Sequence, residues 1–299
     1  MLGSLREQYR GIQALEAHLV DLHRRMGRDE TIVLGTGATL GPGMADGGWV
    51  ELCSRHMKLA HAHHDFLTAA LDPRLPASLH SLPVKYNIAA RLWQNSFHLL
   101  IERMRTTWLA PSAALTRSSA DDGHGLADAA AAASARALEH LTDYILDAYQ
   151  FYTTLLDEQV LTTFRSAWIE ALGDLARYRM AVANHVAQST ASGGGGESSP
   201  PTRFARIDDD SEDEMKPPAP PVPSGNSIGK EVADAWDVED RETWRTTARD
   251  WYALGVGEKP GEGRLHHRLA LISRDVKGEE QRALYHFAKR CLVLVLRLT

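Results

Sequence analysis

Apolar positions recur at helical spacing along most of the chain. Leu5, Ile12, Leu15, Leu19 and Leu22 mark one face of a stretch running to Met26, with charged residues between them. A second helix is predicted from Trp49 to Ala70, closed by Pro73 and Pro76, and a third from about Lys85 to Trp108. After an alanine-rich run, Ala127 to Ala137, the residues Leu138, Leu141, Ile145, Tyr149, Tyr152 and Leu156 share a face. Phe164, Trp168, Leu172 and Leu175 share another. Trp244, Trp251, Leu265, Leu269, Ile272, Leu284 and Phe287 supply the core positions of a last helical region. No stretch alternates as a β-strand does, so the expected class is all-α, an antiparallel helical bundle.

The pattern breaks once, between Ser189 and about Glu231, where SGGGGESSPP, RIDDDSEDE and KPPAPPVPSGNS follow one another. Such composition buries too little apolar surface to offset its ordering entropy, which predicts a disordered insertion. The chain therefore reads as a helical domain over residues 1–188, an insertion over 189–233 and the start of a second helical domain over 234–299. Ser211 inside the acidic run has the surroundings of an acid-directed kinase site, with a solvated spacer as the simpler account.

Composition narrows the class. With 299 residues, 43% of them hydrophobic, a real core is affordable. A net charge of -6 and a pI near 6.2 exclude nucleic-acid capture by bulk electrostatics but are compatible with a local basic patch. The two cysteines, Cys53 and Cys291, support neither a disulfide framework nor a thiolate zinc site, which favours a reducing compartment. CLVLVL near the C-terminus is far shorter than the roughly 20 apolar residues that span a bilayer. No secretory signal opens the chain, so nucleus and cytoplasm are the expected locations, with no membrane partner.

One helix carries an oddity. In EALGDLARYRM, Glu170 to Met180, a glycine and an aspartate stand mid-helix and Arg-Tyr-Arg follows. Glycine there costs about 1 kcal/mol relative to alanine. On a helical wheel Arg177 points away from the Phe164–Leu175 stripe with Gly173 beside it, flanked by Asp174 and Tyr178. Open space at Gly173 suits close approach by another backbone or a ligand; a surface arginine over a tight helix crossing is the plainer alternative. On the Lys85–Trp108 helix, Arg91, His98 and Arg105 fall seven apart and stack on one face. Helices presenting Arg105, His98 and Arg177 across a shared groove would attract phosphate or carboxylate.

Two other stretches invite chemistry. TIVLGTGATLGPG, Thr31 to Gly43, is glycine-rich but lacks a Gly-Lys-Ser/Thr ending and reads as a flexible connector. His56, His61, His64 and Asp65 could place metal ligands on adjacent turns and make a metal-dependent helical hydrolase the rival reading. Without HExxH or a cysteine pair, structural or solvated histidines are the simpler account. No nucleophile or acid–base pair emerges, so the chain is read as non-catalytic, with no cofactor.

LGDLARYR (Leu172 to Arg179), ARLWQNSF (Ala90 to Phe97) and GRLHHRLALISRDVKGEEQRALYHFAKRCL (Gly263 to Leu292), with Gln150, Phe151 and Tyr152 between the first two in chain order, resemble the adaptor family that contains the ever-shorter-telomeres subunit of telomerase and the SMG factors of nonsense-mediated mRNA decay, especially its filamentous-fungal members. The resemblance implies a 14-3-3-like helical domain running into tetratricopeptide-type hairpins. It implies that Arg177 and Tyr178 hold a phosphoserine of a partner protein and that Arg105 keeps the second basic position. At His98 the sequence departs from the lysine of phosphate-binding relatives; lysine is charged at physiological pH, whereas an ordinary histidine is mostly neutral there. Leu269-Ala270 and the Ala283/Phe287 pair fit one tetratricopeptide-like unit. Relatives continue with further helices, so the end at Thr299 implies a shortened chain with CLVLVLRL partly exposed. Contact with RNA or single-stranded DNA, also implied, would fall to Arg264, His266, His267, Arg268, Arg274, Lys277, Arg282, Lys289 and Arg290, unless these are the solvated face of a hairpin.

Overall fold

The computed structural model describes residues 2–115, 124–192, 228–274 and 276–296, and they are all-α apart from one small hairpin. Helix α1 (Leu2–Met26) buries Leu5, Ile12, Leu19 and Leu22, and the basic Arg24 and Arg25 in its last turn complement the helix dipole. Helix α2 (Asp46–Ala70) packs against it; Leu71 N–H closes onto the Leu67 carbonyl and Pro73 follows.

The connector between them is a structured hairpin. Strand β1 (Ile32–Val33) pairs antiparallel with β2 (Thr39–Leu40), Ile32 opposite Leu40, and both of these apolar side chains turn into the core. Two-residue strands are too short to display alternation, which is why the sequence pattern misses them. Gly48 lets the hairpin sit on α2, since a Cβ there would stand 2.4 Å from both the Thr39 carbonyl and Met44.

The predicted Lys85–Trp108 helix is broken into α3 (Leu82–Lys85), α4 (Ile88–Arg91), a wide π-type turn over Leu92–His98, and α5 (Leu99–Leu115). Asn87, at φ 53, separates the first two, and Leu99 N–H reaches the Gln94 carbonyl five residues back. A π-type turn rotates each residue by less than the roughly 100° of an α-helix, so residues seven apart across it lose their common face.

Helix α6 (His124–Asp157) contributes Leu141, Tyr144, Ile145 and Tyr152; a 3-10 turn at Gln159–Phe164 leads into α7 (Arg165–Ser192). Then come α8 (Ile228–Glu258), α9 (Gly263–Arg274) and α10 (Glu280–Leu296). Helical structure thus covers residues 189–192 and 228–233 of the expected insertion. The rest of it, Ser211 included, lies outside the described residues.

The main core joins α1, α2, the π-type turn, α5, α6 and α7 around Trp49, Phe66, Phe97, Tyr144, Tyr152 and Trp168. A second cluster, Ala176, Ala248, Tyr252, Leu265, Leu269 and Ile272, seals α8 and α9 onto α7. Ala270 and Ala283 are buried where α9 and α10 approach, as their spacing predicts. Leu284, expected in the core, is 70% exposed: it stands about 100° round α10 from the buried Ala283, off the face that meets α9. Phe287 and Trp251 are half-buried.

Candidate functional site

The α5 and α7 faces do meet, and a carboxylate sits between them. Tyr178 Oη on α7 donates to Glu102 Oε1 at 2.5 Å, and Arg105 donates to both Glu102 oxygens from Nε (3.2 and 3.1 Å) and to Oε2 from Nη2 at 2.7 Å. Burial pushes the Glu102 carboxyl up, but Arg105 and Tyr178, with His98 nearby, hold it below the ordinary carboxylate range. Burial and the adjacent Glu102 push the Tyr178 hydroxyl well above its ordinary value, so it remains a donor.

Arg177 lies alongside. Its guanidinium stands 5.5 Å from the Tyr178 ring centre and 3.6 Å from Asp174 Oδ1, and its buried Nε has no hydrogen-bond partner among the described residues. The Arg177 cation is close enough to be felt at Arg105. His98, half-buried with its ring centre 5.9 Å from that of Trp93, borders the same carboxylate. Four sequence-predicted residues, Arg177, Tyr178, Arg105 and His98, are therefore gathered at one place.

Arg91 is not among them. Its guanidinium clasps Glu16 of α1, Nε to Oε1 at 3.0 Å and Nη2 to Oε2 at 2.5 Å, and stands 5.3 Å from the Tyr9 ring centre. Its heptad spacing to His98 and Arg105 crosses the π-type turn, which turns Arg91 toward α1 instead. Glu16 also accepts from Asn95 and contacts His63; although burial raises its carboxyl, these partners hold it at about 2.

The space beside Gly173 is filled by Tyr252 of α8, whose ring atoms stand 2.4 Å from where a Cβ would be. Tyr252 Oη donates to Asp174 Oδ1 at 2.6 Å, and Arg268 of α9 pairs with Asp174 Oδ2 at 2.9 Å and with Glu170. Asp174, 4% exposed, ties three helices together. Gly173 thus marks the tight helix crossing that was the plainer alternative, with a side chain and not a backbone or a ligand in its space. Glu102 was missed too, although Glu-x-x-Arg ending at Arg105 is a signal for an intrahelical pair.

The C-terminal basic residues divide. Arg264 faces Glu170 at 3.4 Å and Glu262 at 3.7 Å, and Arg268 is consumed by Glu170 and Asp174. Arg290 Nη1 donates to His267 Nδ1 at 2.8 Å, and these four residues line a groove between α9 and α10 floored by Gly263 and Val293. Burial and the cations Arg290, Arg268 and Arg177 all pull the His267 pKa down, which sets Arg177 within electrostatic reach of that groove. His266 meets His286, their Nδ1 atoms 3.0 Å apart. Lys289 lies 5.8 Å from the Tyr285 ring centre; Arg274 and Lys277 are exposed at and beyond the end of α9.

The proposed metal ligands diverge. His56 is fully buried, with Nδ1 donating to the Ser96 carbonyl at 2.9 Å and Nε2 facing His23 Nε2 at 2.9 Å. His61 returns to the Met57 carbonyl, His64 meets Glu158 at 2.8 Å, and Asp65 is exposed. Among the described residues no three His, Cys, Asp or Glu side chains gather so as to hold a metal ion. No described helix is long and apolar enough to cross a membrane.

No family model matches the chain, and neither a curated protein nor a solved structure matches it.

Proposed function

We propose that this protein is a non-catalytic helical adaptor that captures an anionic segment of a partner protein at the seat formed by Arg105, Tyr178 and Arg177, with His98 at its edge. The observation that carries this reading is the convergence of the Tyr178 hydroxyl and the Arg105 guanidinium, from two different helices, on one carboxylate position with a further arginine alongside. Charge-assisted donors arranged in this way recognise phosphate or carboxylate more strongly than neutral donors do. By the motif resemblance, the fold is a 14-3-3-like bundle continuing into tetratricopeptide-type hairpins, and the partner belongs to the telomerase or mRNA-decay machinery.

Nucleic-acid contact is the lesser role. Arg264 and Arg268, two basic residues of the α9–α10 face, already have carboxylate partners, so they offer a phosphate backbone less than unpaired cations would.

A pull-down with the full chain tests the reading. Arg177→Glu and Arg105→Ala are each compared with wild type after melting curves confirm that they fold. Loss of the same partners in both variants supports the seat; an unchanged set of captured partners overturns it.

A further inference from the structure

The donors of the seat are not idle: an internal anion already occupies them. Glu102 takes up all that Tyr178 offers and both Nε and Nη2 of Arg105, at 2.5 to 3.2 Å. It leaves Arg177 aside, whose guanidinium turns to Asp174 Oδ1 at 3.6 Å and to the Tyr252 hydroxyl and whose Nε is buried without a partner. We propose that Glu102 is the specificity-determining residue of this seat, an internal carboxylate that a phosphate monoester dianion can displace and a partner's aspartate or glutamate cannot. The proposal rests on the adaptor reading above.

The physical reason is an exchange. A carboxylate from a partner would replace Glu102 by a group of the same charge and the same two oxygens, and so would gain nothing from the seat. Glu102 is moreover tethered, and a tethered group competes at an effective concentration in the millimolar range or above. A phosphate monoester brings a charge of about -1.5 to -2 and three acceptor oxygens. Two of these can take over Arg105 and Tyr178 while the third reaches toward Arg177, which the carboxylate does not engage. The displaced Glu102 has His98 four residues earlier to turn to, a neighbour that already contributes to its ionisation.

The seat therefore sets a charge threshold. Substituting glutamate for the phosphorylated residue of a ligand should not mimic phosphorylation here, and neutralising residue 102 should remove that discrimination.

Fluorescence anisotropy on the full chain tests this with two probes. One is a degenerate decapeptide library centred on phosphoserine, the other the same library centred on glutamate. Wild type should bind the first at least tenfold more tightly than the second. Glu102→Gln, nearly isosteric and verified by its melting curve, should bind the glutamate library measurably and reduce the ratio about tenfold, which corresponds to roughly 1.4 kcal/mol. Glu51→Gln neutralises a carboxylate that pairs with Arg55 on α2, away from the seat, and should leave the ratio as in wild type. An unchanged ratio in Glu102→Gln, or an equal drop in Glu51→Gln, overturns the proposal. So does failure of every protein to bind either library; if Arg105→Ala and Arg177→Glu still lose partners in the pull-down, the adaptor reading outlives it, and if they do not, both fall.

Discussion

The ring of Tyr252 fills the notch that Gly173 leaves in α7, and its hydroxyl donates to the next residue, Asp174, at 2.6 Å. Glycine costs the helix about 1 kcal/mol, whereas full burial of a large side chain contributes about 1.5–3 kcal/mol. The balance favours the glycine, and with it a tight seam between α7 and α8.

Gly173→Ala should therefore destabilise the protein despite alanine's better helix propensity. The added methyl would stand 2.4 Å from Tyr252 Cε1, and overpacking of this kind costs about 1–3 kcal/mol. A lowered urea midpoint checks this. Combining it with Tyr252→Ala should give a smaller loss than the sum of the two single losses, because the clash disappears with the ring.

Asp174→Asn should cost more, on the order of 3–5 kcal/mol, since it strips a buried carboxylate from Arg268 while leaving that cation in place. Chemical denaturation measures it. The loss should be felt first where α8 and α9 meet α7, as faster amide exchange around Tyr252 and Leu269, whereas a uniform change across the chain would contradict the hub role.

Stability should fall in mild acid. Burial, with the neighbouring His56 and Arg103, lowers the His23 pKa to about 3, and burial lowers that of His56 to about 4 despite its hydrogen bond to Ser96. In the unfolded chain both protonate near 6.5, so the folded state binds fewer protons below that pH. Their contribution is intact above pH 6.5 and is lost as pH drops toward 4 and then 3, at about 1.4 kcal/mol per histidine per pH unit. Urea midpoints from pH 7.5 to 5 check the sign, and the slope should be shallower in His23→Gln than in wild type.

The two cysteines should differ sharply toward a thiol reagent at pH 8. Cys291 is exposed, while burial pushes the Cys53 thiol up to about 12, with Asp147 adding to the effect. One thiol per chain should react quickly and the second only on unfolding, since the thiolate is the nucleophile. Cys291→Ser should remove the fast phase alone.

Much of the candidate site was legible because it is local. Gly173, Arg177 and Tyr178 lie within two turns of one unbroken helix, where wheel geometry holds. His98 and Arg105 follow each other into α5 with little loss of phase. Arg91 failed because a π-type turn intervenes, and such a turn leaves no trace in a hydrophobic pattern. Glu102 and Asp174 stayed hidden because a charged residue looks the same in sequence whether it faces water or collects donors from other helices.

The sequence by itself determined that the described chain is mostly helical, that most of the apolar positions on its periodic faces turn to the core, and that α7 leaves room at Gly173, because these depend on spacing over a few turns. Only tertiary structure decided that Tyr252 fills that room, that Arg268 and Tyr252 meet on Asp174, and that Glu102 sits on the donors of Arg105 and Tyr178. Those pairings join residues tens of positions apart, and their energies depend on distance and burial, which arise only when the helices pack.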